Sequence, residues 1–242
     1  MKSFVHSFGC FAARRCFDQA FLAAGYSQVP VHIIGSDPGV TAAFNGATHM
    51  PFEDGALYMT VPGAVVIDSC DYVQTKSLTK KLADYPKLSY MRLIRKNFKT
   101  IYADGSEFEI GKGVTLKDGK DVTIIASGIM LDEALRAEEI LSAEGISARV
   151  IDMHTWKPID EELICKAAEE TGCIVTAENH QVGCGLGSAV ANVLVANKPV
   201  PMERVGIQDR FGQVGPQDFL MKEYNLMAED IVEAVKKVIS RK

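Results

Sequence analysis

Apolar and polar positions along the chain follow two rhythms. Short apolar runs at residues 29–34, 65–67 and 90–94 are bounded by glycine or polar clusters and predict strands, with another strand opening at residue 4. Between them, residues 11–24 and 73–82 carry apolar side chains at helical spacing, and a short helix is expected near Glu53. The alternation restarts further on. Strands are predicted at 122–126, 148–152, 174–177 and 204–207, and helices at 132–144, 161–171, 188–196 and 230–240, with Asp160 a cap for the second of these helices. Strands alternating with helices imply an α/β fold with mostly parallel sheets.

Residues 96–120 break the rhythm. Gly111-Lys112-Gly113 and Lys117-Asp118-Gly119-Lys120 are turn signals, so this stretch reads as a linker with one hairpin arm. The chain therefore divides into a first α/β unit at 1–96, a linker at 97–120 and a second α/β unit at 121–242. The first unit supplies only about three strands by this reading, and a parallel sheet is covered on both faces and usually larger. Either a partner completes it or an upstream segment is missing. No internal repeat or low-complexity tract is visible.

Composition narrows the classes. The 242 residues are 47% hydrophobic and 24% charged, with a formal net charge of −5. Nucleic-acid and membrane partners usually demand a basic surface, so neither is expected. No apolar run approaches the roughly 20 residues of a membrane helix. Lys2 and the apolar residues after it faintly resemble a secretory leader, but His6 interrupts the run and Arg14-Arg15 follow directly. The six cysteines show no CxxC pair and no metal-ligand spacing. A reducing cytoplasm is the expected compartment.

The most informative stretch is GSDPGVTAAFNGATHMPFED, residues 35–54. This polar, glycine-punctuated loop follows a buried strand, where open α/β sheets place their ligands. His49 lies inside it and is suited to donate to a substrate oxygen or relay a proton. Capping of the helix that follows is the plainer role, and spacing alone favours it slightly.

Gly46-Ala47-Thr48-His49 followed by Glu53-Asp54 resembles the substrate loop of the transketolase family. Residues 7–19, SFGCFAARRCFDQ, resemble the strand-to-helix turn of that family's pyrimidine-binding domain, and residues 90–97, YMRLIRKN, its last strand and the arginine after it. Asp121 to Gly128, Thr176 to His180 and Gly185-Leu186-Gly187 resemble pieces of the family's carboxy-terminal domain. The resemblance covers essentially the whole chain and is strongest to the carboxy-terminal subunits of two-chain transketolases.

That resemblance implies a partial pyrimidine-binding domain, of the thiamine diphosphate fold, followed by a transketolase carboxy-terminal domain. It implies two-carbon ketol transfer between a ketose and an aldose, with thiamine diphosphate shared with a partner chain. Phe8 and Phe11 match aromatic residues that line the aminopyrimidine. Their offset of three is no strand period, so at least one sits on a turn. A core role suits each equally well. His49 matches the catalytic, substrate-contacting histidine. Arg95 matches an arginine that grips sugar phosphate with its planar fork, though a solvated basic turn is the alternative. Arg92 reads as structural.

Departures from the family pattern concern substrate and competence. Asn45 replaces the usual aspartate, and Asp37 replaces a phosphate-binding histidine. A carboxylate facing phosphate would repel it, so an unphosphorylated or otherwise modified sugar is expected. The family's catalytic glutamate belongs to a segment upstream of the Phe8 region that this sequence does not contain. The Gly-Asp-Gly motif that holds diphosphate and metal is absent too. Diphosphate and Mg2+ or Ca2+ are therefore expected on an amino-terminal partner subunit, with no metal ligands here. Self-association of this chain is also expected. Other thiamine-dependent chains, of the deoxyxylulose phosphate synthase or 2-oxo-acid dehydrogenase beta type, share the architecture, and an inert assembly subunit is a third reading. The run Gly183 to Ser188 resembles a phosphate loop but reads as packing. His180 reads as a structural histidine, and His154 and Trp156 as loop residues between the units.

Overall fold

The computed structural model describes residues 2–96 and 98–242. Met1 and Asn97, which belong to the expected first unit, to the 90–97 motif and to the start of the linker, lie outside the described residues.

The first half of the chain opens with β1 (Ser3–Phe8). Three short helical pieces follow, Phe11–Arg15, α1 (Phe17–Gln19) and Ala20–Tyr26. Next come β2 (Val31–Ser36) and two tight turns, Gly39–Asn45 and Ala47–His49. Then come α2 (Asp54–Met59), β3 (Val65–Asp68), α3 (Tyr72–Asp84) and β4 (Ser89–Leu93). The second half runs β5 (Val114–Lys117), β6 (Val122–Ala126), α4 (Met130–Ala143), β7 (Ala148–Asp152) and β8 (Thr155–Lys157). It closes with α5 (Glu161–Thr171), β9 (Ile174–Gln181), α6 (Leu186–Asn197), β10 (Met202–Ile207), α7 (Gln217–Glu223) and α8 (Ala228–Ile239).

Local chemistry sets these boundaries. Asp71 starts α3 by accepting from Gln74 N, and Asp160 starts α5 by accepting from Leu163 N. Glu161 and Glu162 in the first turn of α5 face its positive end, and Gly172 closes it at φ 70°. β3 and β6 are buried at every position, as strands covered on both faces must be.

Two five-stranded sheets result, ordered β1-β2-β4-β3-β8 and β10-β9-β6-β7-β5. All pairs are parallel except β3 with β8 and β5 with β7. The first sheet thus holds four strands of its own half, the three of the apolar runs and the one opening near residue 4. Its fifth comes from the other half of the same chain rather than from a partner. Residues 155–157 are that strand, which corrects their reading as loop. Three residues are too few to show a period, so β8 had no sequence signal. Residues 114–117 pair with β7 instead of forming a hairpin arm. β9 runs four residues past its expected end, and α7 was not foreseen.

The crossing strand joins the halves. Trp156 is fully buried, and its ring lies so close to Gly55 of α2 that a Cβ there would meet it at 2.5 Å. Lys157 Nζ donates to the carbonyls of Met59 and Val61 at 2.7 and 2.6 Å. Asp68 N donates to His154 O at 2.9 Å.

Candidate active site

Parallel register brings three strand ends into line. Phe8 at the end of β1 pairs with Ser36 at the end of β2, and Ser36 pairs with Leu93 at the end of β4. The residues at or just beyond these ends are Phe8, Asp37 and Arg95. This is the carboxyl edge of an open parallel sheet. The loop after β2 then brings in His49.

Phe8, Phe11 and His49 form an aromatic triangle. Their ring centroids lie 6.1 Å apart for Phe8 with Phe11, 5.5 Å for Phe8 with His49 and 5.0 Å for Phe11 with His49, all edge to face. Such pairs contribute about 0.5–1.5 kcal/mol each beyond burial. Phe8 ends a strand and Phe11 opens a helical turn, so the two aromatics converge despite their offset. His49 Nδ1 lies 2.9 Å from Thr48 Oγ1, which leaves Nε2 as the ring nitrogen for a substrate. The capping role for His49 is not what the geometry shows, since α2 starts at Asp54 and His49 packs on the phenylalanines.

Asp37 and Arg95 form one ion pair, 2.7 Å from Arg95 Nη2 to Asp37 Oδ2. Asp37 is fully buried, whereas the Arg95 side chain is half exposed. The Arg95 guanidinium also lies over the Phe8 ring, 4.9 Å from its centroid. Arg95 is therefore neither a bare phosphate grip nor a solvated turn. Its charge is already met by the acid that departs from the family pattern. Asn45 is exposed at the end of the Gly39–Asn45 turn.

A shallow cavity of about 350 Å³ lies beside this cluster, lined by Cys10, Phe11, Arg14, Arg15 and Thr48. Arg14 bridges the loop, reaching Thr48 O at 3.2 Å and Glu53 Oε1 at 3.1 Å. Arg15 stacks over Phe11 at 4.3 Å. Arg14 was not singled out by sequence, because a basic residue at a helix surface carries no distinguishing signal.

Beneath the loop lies a buried charge cluster. Arg92 is fully buried and meets Asp54 Oδ2 at 3.1 Å and Asp68 Oδ2 at 3.2 Å. Tyr90 OH donates to Asp54 at 2.8 Å, and Ser127 Oγ to Asp68 at 2.8 Å. Burial works against the Arg92 charge, but Asp54 and Asp68 outweigh it and hold its pKa above the usual range. His180, fully buried nearby, is driven down to about 4 by burial, so its contacts with Asp54 and Glu178 at 4.0 and 3.8 Å are not ion pairs at neutral pH. Glu178 accepts from the N–H groups of Leu186 and Gly187 at 2.7 and 2.8 Å. An internal carboxyl group thus fills the start of α6, where a bound phosphate would sit.

Two family descriptions match the chain: transketolase, pyrimidine binding domain, over residues 1–100, and transketolase, C-terminal domain, over residues 111–231. The chain is 44% identical over 239 residues to the 6-deoxy-6-sulfo-D-fructose transketolase subunit SqwH of Clostridium sp. (strain MSTE9), covering 99% of this chain and 74% of that protein. It is 40% identical to one of the apulose-4-phosphate transketolase subunits of Phocaeicola vulgatus, covering 99% and 77%. A solved split gene transketolase, described as an inactive beta4 tetramer, superposes with a TM-score of 0.93 at 42% identity, covering 98% of this chain and 76% of that one. The chain belongs to the transketolase family. Within it, this chain corresponds to the carboxy-terminal subunits of split transketolases.

The family depends on thiamine diphosphate. The Phe8–Phe11–His49 triangle offers aromatic edges suited to the flat aminopyrimidine ring of that cofactor, and the cavity against it is partly polar, lined by Arg14, Arg15 and Thr48 as well as Phe11. Among the described residues, no group of three or more His, Cys, Asp and Glu side chains is placed to hold a metal ion.

Proposed function

We propose that this chain is the substrate-side half of a transketolase that a second chain completes, moving a two-carbon ketol unit from a ketose to an aldose. The observation that carries this is the line of Phe8, Asp37 and Arg95 on three strand ends, with His49 edge-on to the phenylalanines. When bound, thiamine diphosphate supplies the centre that stabilises the carbanion. Phe8 and Phe11 seat its aminopyrimidine. His49 Nε2 hydrogen-bonds a sugar oxygen and moves a proton there. Asn45 hydrogen-bonds sugar hydroxyls. An amino-terminal partner subunit holds the diphosphate and its Mg2+ or Ca2+, and copies of this chain also associate. The six cysteines, none in a disulfide, support a cytoplasmic setting.

The donor in this reading is an unphosphorylated or otherwise modified ketose. A buried carboxylate already paired with Arg95 leaves that arginine little net charge for a phosphate. Two relatives carry names for a sulfo sugar and for apulose 4-phosphate, which supports varied donors in this branch. The test is kcat/KM of the two-chain enzyme with xylulose 5-phosphate and with xylulose. Near-equal values are expected. A strong phosphate preference would defeat the donor assignment.

A further inference from the structure

Asn179 lies on β9, in the second sheet, and is 2% exposed. Its carboxamide nevertheless reaches the substrate loop of the first half. Oδ1 accepts from Val40 N at 3.0 Å, and Nδ2 donates to Pro38 O at 2.9 Å. Only this orientation satisfies both groups, because a flipped amide would set donor against donor and acceptor against acceptor. The backbone carbonyl of Asn179 accepts in turn from Arg92 Nη2 at 2.9 Å. The clamp is thereby anchored to the buried Arg92–Asp54–Asp68 cluster.

The clamped turn is strained. Asp37 has φ 54° and Gly39 φ 55°, both in the left-handed region. That region disfavours a non-glycine residue such as Asp37 unless its surroundings impose it. A Cβ on Gly39 would lie 2.1 Å from Asn179 Oδ1. Asp37 N donates to Leu93 O at 3.0 Å and Gly39 N to Pro51 O at 3.0 Å, so the turn is pinned from both sides. What the pinning achieves is a buried Asp37 carboxylate against Arg95. Neither oxygen of that carboxylate takes any hydrogen bond, which leaves the ion pair as its sole polar contact among the described residues.

We propose that Asn179 is a positioning residue for donor specificity. It grips Pro38 and Val40 from the second half of the chain and so holds Asp37 on Arg95. The inference rests on the reading that this ion pair faces the far end of the donor. Without the clamp, Asp37 relaxes toward ordinary backbone, the carboxylate withdraws and the Arg95 fork is freed for phosphate. The carboxy-terminal half thus sets which sugars the amino-terminal half accepts.

The test uses Asn179→Ala and Gly39→Ala in the two-chain enzyme, and the double variant. For Asn179→Ala the ratio of kcat/KM for xylulose 5-phosphate to that for xylulose should rise at least fivefold, mainly through KM, with kcat changed less than threefold. Gly39→Ala, which pushes on the same carboxamide, should shift the ratio in the same direction. The double variant should resemble either single one, since both break one contact. Equal losses on both donors, or independent effects that multiply, would overturn the proposal. Amide hydrogen exchange on the isolated chain tests the clamp without any turnover. Asn179→Ala should speed exchange across residues 37–43 at least tenfold while β6 and β7 stay protected, and unchanged exchange there would also overturn it. Wild-type enzyme that transfers no ketol unit would defeat the functional reading alone, because the exchange result stands apart from it.

Discussion

Asp152 ends β7 with its carboxylate sealed between the two halves. Oδ2 accepts from Gln74 Nε2 at 2.6 Å and from Tyr102 OH at 2.7 Å, while Oδ1 has no hydrogen-bond partner among the described residues. Burial pushes its pKa to about 7, against the two donors that favour the charged form, and Asp68 and Asp71 add to the rise. Between the ordinary value of 3.8 and about 7, the folded chain keeps a proton that the unfolded chain has released, so stability falls as pH rises through that window. Glu178, pushed to about 8 by burial, extends the same limb. His154 and His180 sit at about 4 by burial, and His32 is lowered too; they act the other way, an effect that fades as pH rises past 6.5. From there towards pH 8 Asp152 and Glu178 dominate. The melting temperature should therefore fall from pH 6.5 to 8, and Asp152→Asn should remove roughly 1 kcal/mol of that loss. Asparagine keeps an acceptor for Gln74 and Tyr102 and places its amide where Oδ1 has none. An identical slope in the variant would refute the assignment. The family resemblance singles out His49, Phe8, Phe11, Asp37, Asn45 and Arg95, and the structure gathers all but the exposed Asn45 into contact at one sheet edge. The pairing of Asp37 with Arg95 was not legible in the sequence. An ion pair between residues 37 and 95 depends on strand register, which no local pattern encodes.

Among the elements, β8 and β9 decide how the halves meet. β9 continues from an apolar run into Glu178, Asn179 and His180, which end a hydrophobic pattern and so look like loop. They remain buried: Glu178 finds partners on α6 and Asn179 finds them across the interface, while His180 Nδ1 donates to Gln181 O within β9 itself. β8 is three residues long, and only its pairing with β3 makes it a strand. Apart from β5, which falls in the expected linker, the remaining strands and the longer helices are readable from period alone, with boundaries off by a few residues where polar residues are buried. Gly55 on α2 gives a test at this scale. In an exposed helix, alanine in place of glycine would gain up to about 1 kcal/mol. Here its Cβ would meet a buried Trp156 ring at 2.5 Å, and overpacking costs about 1–3 kcal/mol, so the clash should win. Gly55→Ala should lower the denaturant midpoint. A stabilised variant would show that the β8 junction yields easily.

For the whole molecule, what the chain holds defines what it needs. It carries the Phe8–Phe11–His49 triangle and the mutually neutralised Asp37–Arg95 pair on one sheet edge. The most direct test is a titration of this chain into a fixed amount of the amino-terminal transketolase subunit, with thiamine diphosphate and Mg2+ present, following two-carbon transfer from a ketose to an aldose. Neither chain alone should turn over, and the rate should rise with added chain to a plateau near one-to-one. Full turnover by the partner alone, unchanged as this chain is added, would contradict that expectation.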